Sequence, residues 1–197
     1  MTIKKGEAWG SRYAMTGSEP IAHTDAGALA LIAAALDEGR VPDPVVLRGG
    51  DLYRMLGGRP ADEPQRFPID IVDVVADGHR FRAVGHVVAR HALWAGRFVV
   101  VMNGQFVGEW NLGPRAHSND GLLDITDGSL GVRDRLVARR RARSGSHLPH
   151  PSLATRRAAT AEFDFDRPMR LFVDGLAAGE CRTLALSVVP DAATVVI

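Results

Sequence analysis

The chain has 197 residues, 46% of them hydrophobic and 24% charged, and a formal net charge of +1. That length supports a substantial core in one or two domains, and the near-neutral charge argues against a dedicated nucleic-acid binder. One cysteine, Cys181, rules out an internal disulfide or a cysteine-rich zinc site, so a reducing cytoplasm is the expected compartment.

The basic start, MTIKKGEAWGS, is followed by no apolar signal-peptide core. The longest apolar run, residues 26–36, is too short to span a bilayer, so any membrane contact is expected to be peripheral. Residues 1–23 show no periodicity, with Trp9, Tyr13 and Met15 as packing candidates. Thr24-Asp25 then has the short oxygen-bearing side chains that cap a helix, and an alanine- and leucine-rich helix should follow to about Gly39. PVVL reads as a short strand running into Gly49-Gly50-Asp51, where a second helix begins and is stopped by Gly57-Gly58. Residues 24–58 therefore read as an α-β-α unit, and the proline-bearing polar stretch 59–68 as a linker.

Everything downstream has mainly β character. IDIVDVV and HRFRAVGHVVAR, joined at Asp77-Gly78, predict a hairpin, and GRFVVVM predicts a buried strand. The stretch 103–125, NGQFVGEWNLGPRAHSNDGLLDI, carries four glycines before LLDI together with an Asn-Asp-Gly, which is turn chemistry set between two strands. Residues 130–143 predict a short amphipathic helix, SGSHLPHPSL a loop, and the remainder three or four strands.

With these pieces in order, the chain resembles the diacylglycerol kinase and sphingosine kinase family of lipid kinases, particularly its bacterial members. The resemblance rests on NGQFVGEWNLGPRAHSNDGLLDI, on SGSHLPHPSL, on MRLFVDG followed by LSVVPDA, and on RGGDLYRMLGG. It implies an α+β fold: a C-terminal β-sandwich-like domain of the NAD kinase and diacylglycerol kinase type at 69–197, preceded by a reduced α/β segment at 1–68. It also implies ATP and Mg²⁺ as cofactors, a cleft between the two parts, and transfer of phosphate to a lipid hydroxyl. The phosphate-contacting turn corresponds to residues 23–27, where Asp25 survives and the paired glycines do not. Gly49, Gly50 and Asp51 are the remaining candidates for holding the nucleotide, by helix-terminal amides, or else form a plain strand-to-helix turn. The family's proposed general base falls on Leu176, which cannot accept a proton, leaving Asp174 or Glu180 as substitutes. A cation would be held by the Asp120 carboxylate with the carbonyls of His117 and Leu122; alternatively Asp120 only stabilises its turn.

Two function readings stand: a lipid kinase of weakened or lost activity, and a non-catalytic lipid- or nucleotide-binding or interaction module derived from one. Arg133, Arg135, Arg139, Arg140, Arg141 and Arg143 form the conspicuous charge cluster, which is either a solvated helix face or a surface for anionic lipid. The reduced sheet would leave strand edges for a partner to cover, from which a homodimer is expected.

Overall fold

The computed structural model describes residues 8–197. Thr24 accepts a 3.0 Å hydrogen bond from the Gly27 amide and caps α1 (Asp25–Asp37). The apolar run PVVL then yields β3 (Val45–Leu47), and Gly50 turns the chain into α2 (Asp51–Met55). Two short strands that carry no periodic signal lie upstream, β1 (Ser11–Arg12) and β2 (Ile21–Ala22).

The stretch expected to be a linker is strand from Gln65 onward. There β4 (Gln65–Ala76) begins, because its first residues pair with the end of the chain across the sheet. The second arm of the predicted hairpin is broken into β5 (His79–Ala83) and β6 (His86–Arg90). The break has a tertiary cause: the Asp174 carboxylate captures the amides of Val84, Gly85 and His86, so the ladder stops at Ala83 and resumes only at His86. Then come β7 (Arg97–Met102), the small hairpin β8 (Phe106–Val107) and β9 (Trp110–Asn111), and β10 (Leu123–Ser129). The amphipathic segment forms α3 (Val132–Ala142), and the chain closes with β11 (Leu153–Ala158), β12 (Thr160–Val173) and β13 (Leu176–Val196).

Among the described residues, eleven strands form one sheet, whose main path runs β1-β4-β13-β12-β6-β7-β10-β11. On this path all pairings are antiparallel. The segment before residue 65 joins through parallel pairing, β2 on β3 and β3 on the end of β13 (Val45 beside Val195). Long curled strands wrap the sheet around a main core of Val72, Val74, Val99, Val101, Phe163, Leu171 and Leu184, among others. A second core, with Ile32, Leu47, Leu52, Ile71 and Val195, joins α1 and α2 to the sheet. The third lies on the opposite face of β6 and β7, where Val88, Phe98, Val100 and Met102 pack beneath α3.

This explains the unbroken apolar run of β7. Val99 and Val101 serve one core and Phe98, Val100 and Met102 another, so alternation disappears. Each of these buried side chains stabilises the fold by about 1.5–3 kcal/mol relative to exposure. Among the described residues no helix is long and apolar enough to cross a membrane.

Candidate functional site

The glycine-rich stretch is fixed by two buried side chains on either side of the strand junction. Asn103, fully buried at the end of β7, donates its amide to the Val84 carbonyl at 2.8 Å and the Asp70 carbonyl at 3.0 Å. Asp70, on β4 and also fully buried, accepts from the Gly121 amide at 2.7 Å and the Asp191 amide at 3.0 Å. Burial pushes the Asp70 carboxyl up, with the two amides opposing that shift. Asp70 thus clamps the Asn-Asp-Gly turn to the C-terminal strand. Its only sequence signal is an aspartate inside the mainly apolar run IDIVDVV, a signal that Asp73 shares.

Asp25, Asp51 and Asp174 meet beside this junction. The Asp25 carboxylate accepts from the Asp51 amide (2.8 Å) and the Leu52 amide (3.1 Å), which are the first free donors of α2. Asp51 in turn accepts from the Gly108 amide at 2.8 and 3.0 Å, tying α2 to the β8-β9 hairpin. Asp174 lies at the β12-β13 turn and accepts from Val84 (2.8 Å), Gly85 and His86 (both 2.9 Å). Gly85 separates the carboxylates: a Cβ there would sit 3.2 Å from Asp174 Oδ1 and 3.9 Å from Asp25 Oδ2. Gly50, at φ 97°, allows the turn to approach Asp25, since its Cβ would fall 2.3 Å from Asp25 Oδ1. Gly49 packs against the His23 carbonyl in the same way.

Enclosure raises both acids. Desolvation pushes Asp25 up to about 6 against its two amide bonds, with Asp174 and Asp51 repelling it further. Desolvation likewise raises Asp174 to about 6, against three amide bonds. His86 lies buried beside them, its pKa lowered by burial and its Nδ1 without a partner. Nothing in the sequence singles out His86 above the other histidines. Glu180 stands apart, exposed and opposite Arg170 in the β12-β13 register, while Leu176 is exposed at the hairpin tip.

A phosphate at the start of α2 would need the amides of Asp51 and Leu52, and the Asp25 carboxylate already takes both. As arranged, the turn does not fit an anionic nucleotide tail: a carboxylate occupies the donors and adds like charge. The Asp120 turn has the same character. One carboxylate oxygen accepts from the Leu122 amide at 3.0 Å, and the other is ion-paired to the Arg157 guanidinium. The His117 carbonyl accepts from the Asp120 amide at 3.3 Å, and the His117 ring packs on Trp9. Arg157 also reaches Asp124 at 3.5 Å, as does Arg115. A divalent cation at Asp120 would have to displace a guanidinium, so the donor set as arranged does not fit Mg²⁺.

A different concavity lies under α3. Its apolar wall comes from Trp94, Phe98, Val100, Trp110, Leu130 and Leu153, and it encloses about 130 Å³. Arg135, Arg139 and His147 also line it. Two polar atoms there are buried with no partner among the described residues, Arg135 Nε and His147 Nδ1. Trp94 and Trp110 have the side chains of core or cleft residues; the loop that brings His147 to them carries no periodic signal.

Residues 63–197 match the model of the YegS C-terminal NAD kinase beta sandwich-like domain. The chain belongs to this family. A search of curated proteins gave no match. Among solved structures, two provisionally described as a diacylglycerol kinase from Bacillus anthracis strain Sterne share the fold. One has a TM-score of 0.64 at 11% identity over 89% of this chain and 76% of that one. The other has a TM-score of 0.59 at 12% identity, covering 78% and 69%. A third, a diacylglycerol kinase from the same strain, gives 0.54 at 11% identity, covering 78% and 66%. The β-sandwich-like family member expected from residues 103–125 is therefore what the fold is.

Proposed function

We propose that this family member is a non-catalytic binding module that takes an amphiphile: an apolar group with an oxygen acceptor attached. One observation carries the reading. The cavity under α3 is walled mainly by apolar side chains, and two buried nitrogens among its lining residues, Arg135 Nε and His147 Nδ1, have no partner. Leaving such groups unsatisfied costs about 1–3 kcal/mol each, which a ligand oxygen would recover. Apolar cavities of about 150 Å³ admit small hydrophobic groups without any polar anchor, so tail and anchor together give both affinity and orientation.

Two features weigh against phosphate transfer from ATP. Asp25 fills the helix-terminal amides that would cradle phosphate, and Leu176 replaces the proton acceptor. Loss of a general base alone removes about 10²–10⁴-fold in rate. Asp174 is a poor replacement, since its carboxylate is committed to three backbone amides, two on Oδ1 and one on Oδ2.

The test is titration calorimetry with a monomeric fatty acid and a monoacylglycerol, run on the wild type and on Ala138→Phe, which adds a ring to the cavity wall. Saturable binding that the variant loses, with no ATP turnover on diacylglycerol vesicles, is the expected result. Turnover, or binding indifferent to Ala138→Phe, would overturn the reading.

A further inference from the structure

We infer that the outer face of α3, together with the Leu93 tip, is a docking surface for an anionic lipid bilayer. It goes beyond the proposed function, which concerns only the cavity beneath.

Arg135, Ala138, Arg139 and Ala142 turn inward and line the cavity. The side away from it carries Leu136 and Val137, exposed to 63% and 44%, interleaved with exposed Arg133, Arg140 and Arg141, while Val132, exposed to 68%, lies on the flank near the azimuth of Arg139. Asp134 is the sole acidic residue of α3. Leu136 and Val137 among the arginines give this face a mixed basic and apolar character. A bilayer interface accommodates both sets at once, with guanidinium groups at the phosphates and aliphatics just below them.

The second feature is a turn that projects beside this face. Leu93 is 85% exposed, and both Leu93 and Trp94 adopt positive φ, 53° and 58°. Non-glycine residues seldom take that conformation, and two in a row persist only where surroundings enforce them. Arg135 does so here, donating from Nη1 to the Leu93 carbonyl at 2.7 Å. The turn therefore leaves Leu93 exposed at the rim of the cavity, whose lining it joins, while Trp94 packs inward on Phe98 at a ring separation of 5.2 Å. One protruding leucine beside a basic, aliphatic-studded helix suits insertion into a soft interface. The outer face of the helix has no aromatic platform on which nucleic-acid bases could stack. Charge sets the sign: arginines near the surface each strengthen adsorption to anionic lipid about fivefold.

The experiment is co-sedimentation of the full chain with vesicles of phosphatidylglycerol and phosphatidylcholine, against pure phosphatidylcholine. The expected result is binding to the anionic vesicles that weakens with salt. It should fall about a hundredfold in the triple variant Arg133→Gln, Arg140→Gln, Arg141→Gln. Leu93→Asp and Leu136→Asp, both at exposed positions and checked for native circular dichroism, should each lose about tenfold or more.

Three results would overturn the inference: no binding to anionic vesicles; binding that both aspartate variants retain, which is charge adsorption without insertion; or a wild-type dimer that Leu136→Asp dissociates, which makes this face a protein interface. Ala138→Phe separates the two proposals, since it should abolish calorimetric binding of monomeric amphiphile and leave vesicle binding intact.

Discussion

Replacing Asp25 by asparagine tests the electrostatics of the carboxylate cluster. The substituted side chain would keep one acceptor oxygen but present an amide to the second α2 donor, a penalty that does not vary with pH. The wild-type carboxyl does vary. Its pKa stands at about 6 in the fold against 3.8 for the ordinary group, so folding favours the protonated form. Its stabilising contribution is fully present below about pH 3.8 and is lost as pH rises through 6. Between about pH 7.5 and pH 5 the wild type should therefore recover about 1 kcal/mol at this residue, and Asp25→Asn should recover none. For a chain of this size that corresponds to about 2–4 °C in melting temperature. Wild type alone cannot reveal the effect, because burial lowers the pKa of His86, His117 and His147, which destabilises the fold over the same interval. The difference between variant and wild type cancels the contributions of His117 and His147, while His86, whose charged form the Asp25 carboxylate favours, adds to the loss of the variant on acidification. Thermal unfolding at the two pH values should show Asp25→Asn losing about 2–4 °C relative to wild type on acidification. An unchanged difference would refute the argument that burial dominates the Asp25 environment.

Arg157→Gln should lower stability by about 1–2 kcal/mol in denaturant unfolding, since it leaves Asp120 and the mostly buried Asp124 less compensated. Millimolar Mg²⁺ should then raise the melting temperature of that variant while leaving wild type unmoved; a wild type stabilised by Mg²⁺ would show that a cation displaces the guanidinium. Asn103→Ala should cost about 2–3 kcal/mol, because two buried carbonyls, of Asp70 and Val84, lose their donor; a loss under about 1 kcal/mol in urea would mean that water replaces the amide. Gly50→Ala should cost about 2 kcal/mol or more, since it combines φ 97° with a Cβ 2.3 Å from Asp25 Oδ1. Its melting temperature measures this directly.

Much of the fold was legible in the residues because it is locally encoded. The Thr24 cap, the apolar PVVL and FVVVM runs, the Asp77-Gly78 turn and the glycine-rich stretch each declare their structure through backbone preference and periodicity, with little help from distant residues. The family followed from the same stretch, since NGQFVGEWNLGPRAHSNDGLLDI combines several turn requirements in one order. Strand β4 starting at Gln65 and the break at Val84–Gly85 were not legible. The first depends on pairing with the end of β13 and the second on Asp174, about ninety positions away in the chain.

The site divides along the same line. Once the resemblance had named the positions, residue types determined that Leu176 cannot accept a proton and that residues 23–27 hold no paired glycines, because those are statements about chemical capacity. Only the tertiary structure decided what the surviving groups do. Asp25, Asp51, Asp174 and Asp120 carry the same carboxylate in the sequence, yet each is committed by geometry to particular amides or to Arg157. The cavity beneath α3 had no local signature at all: its walls come from separate stretches of the chain, and its unpartnered nitrogens become meaningful only once burial removes water from them.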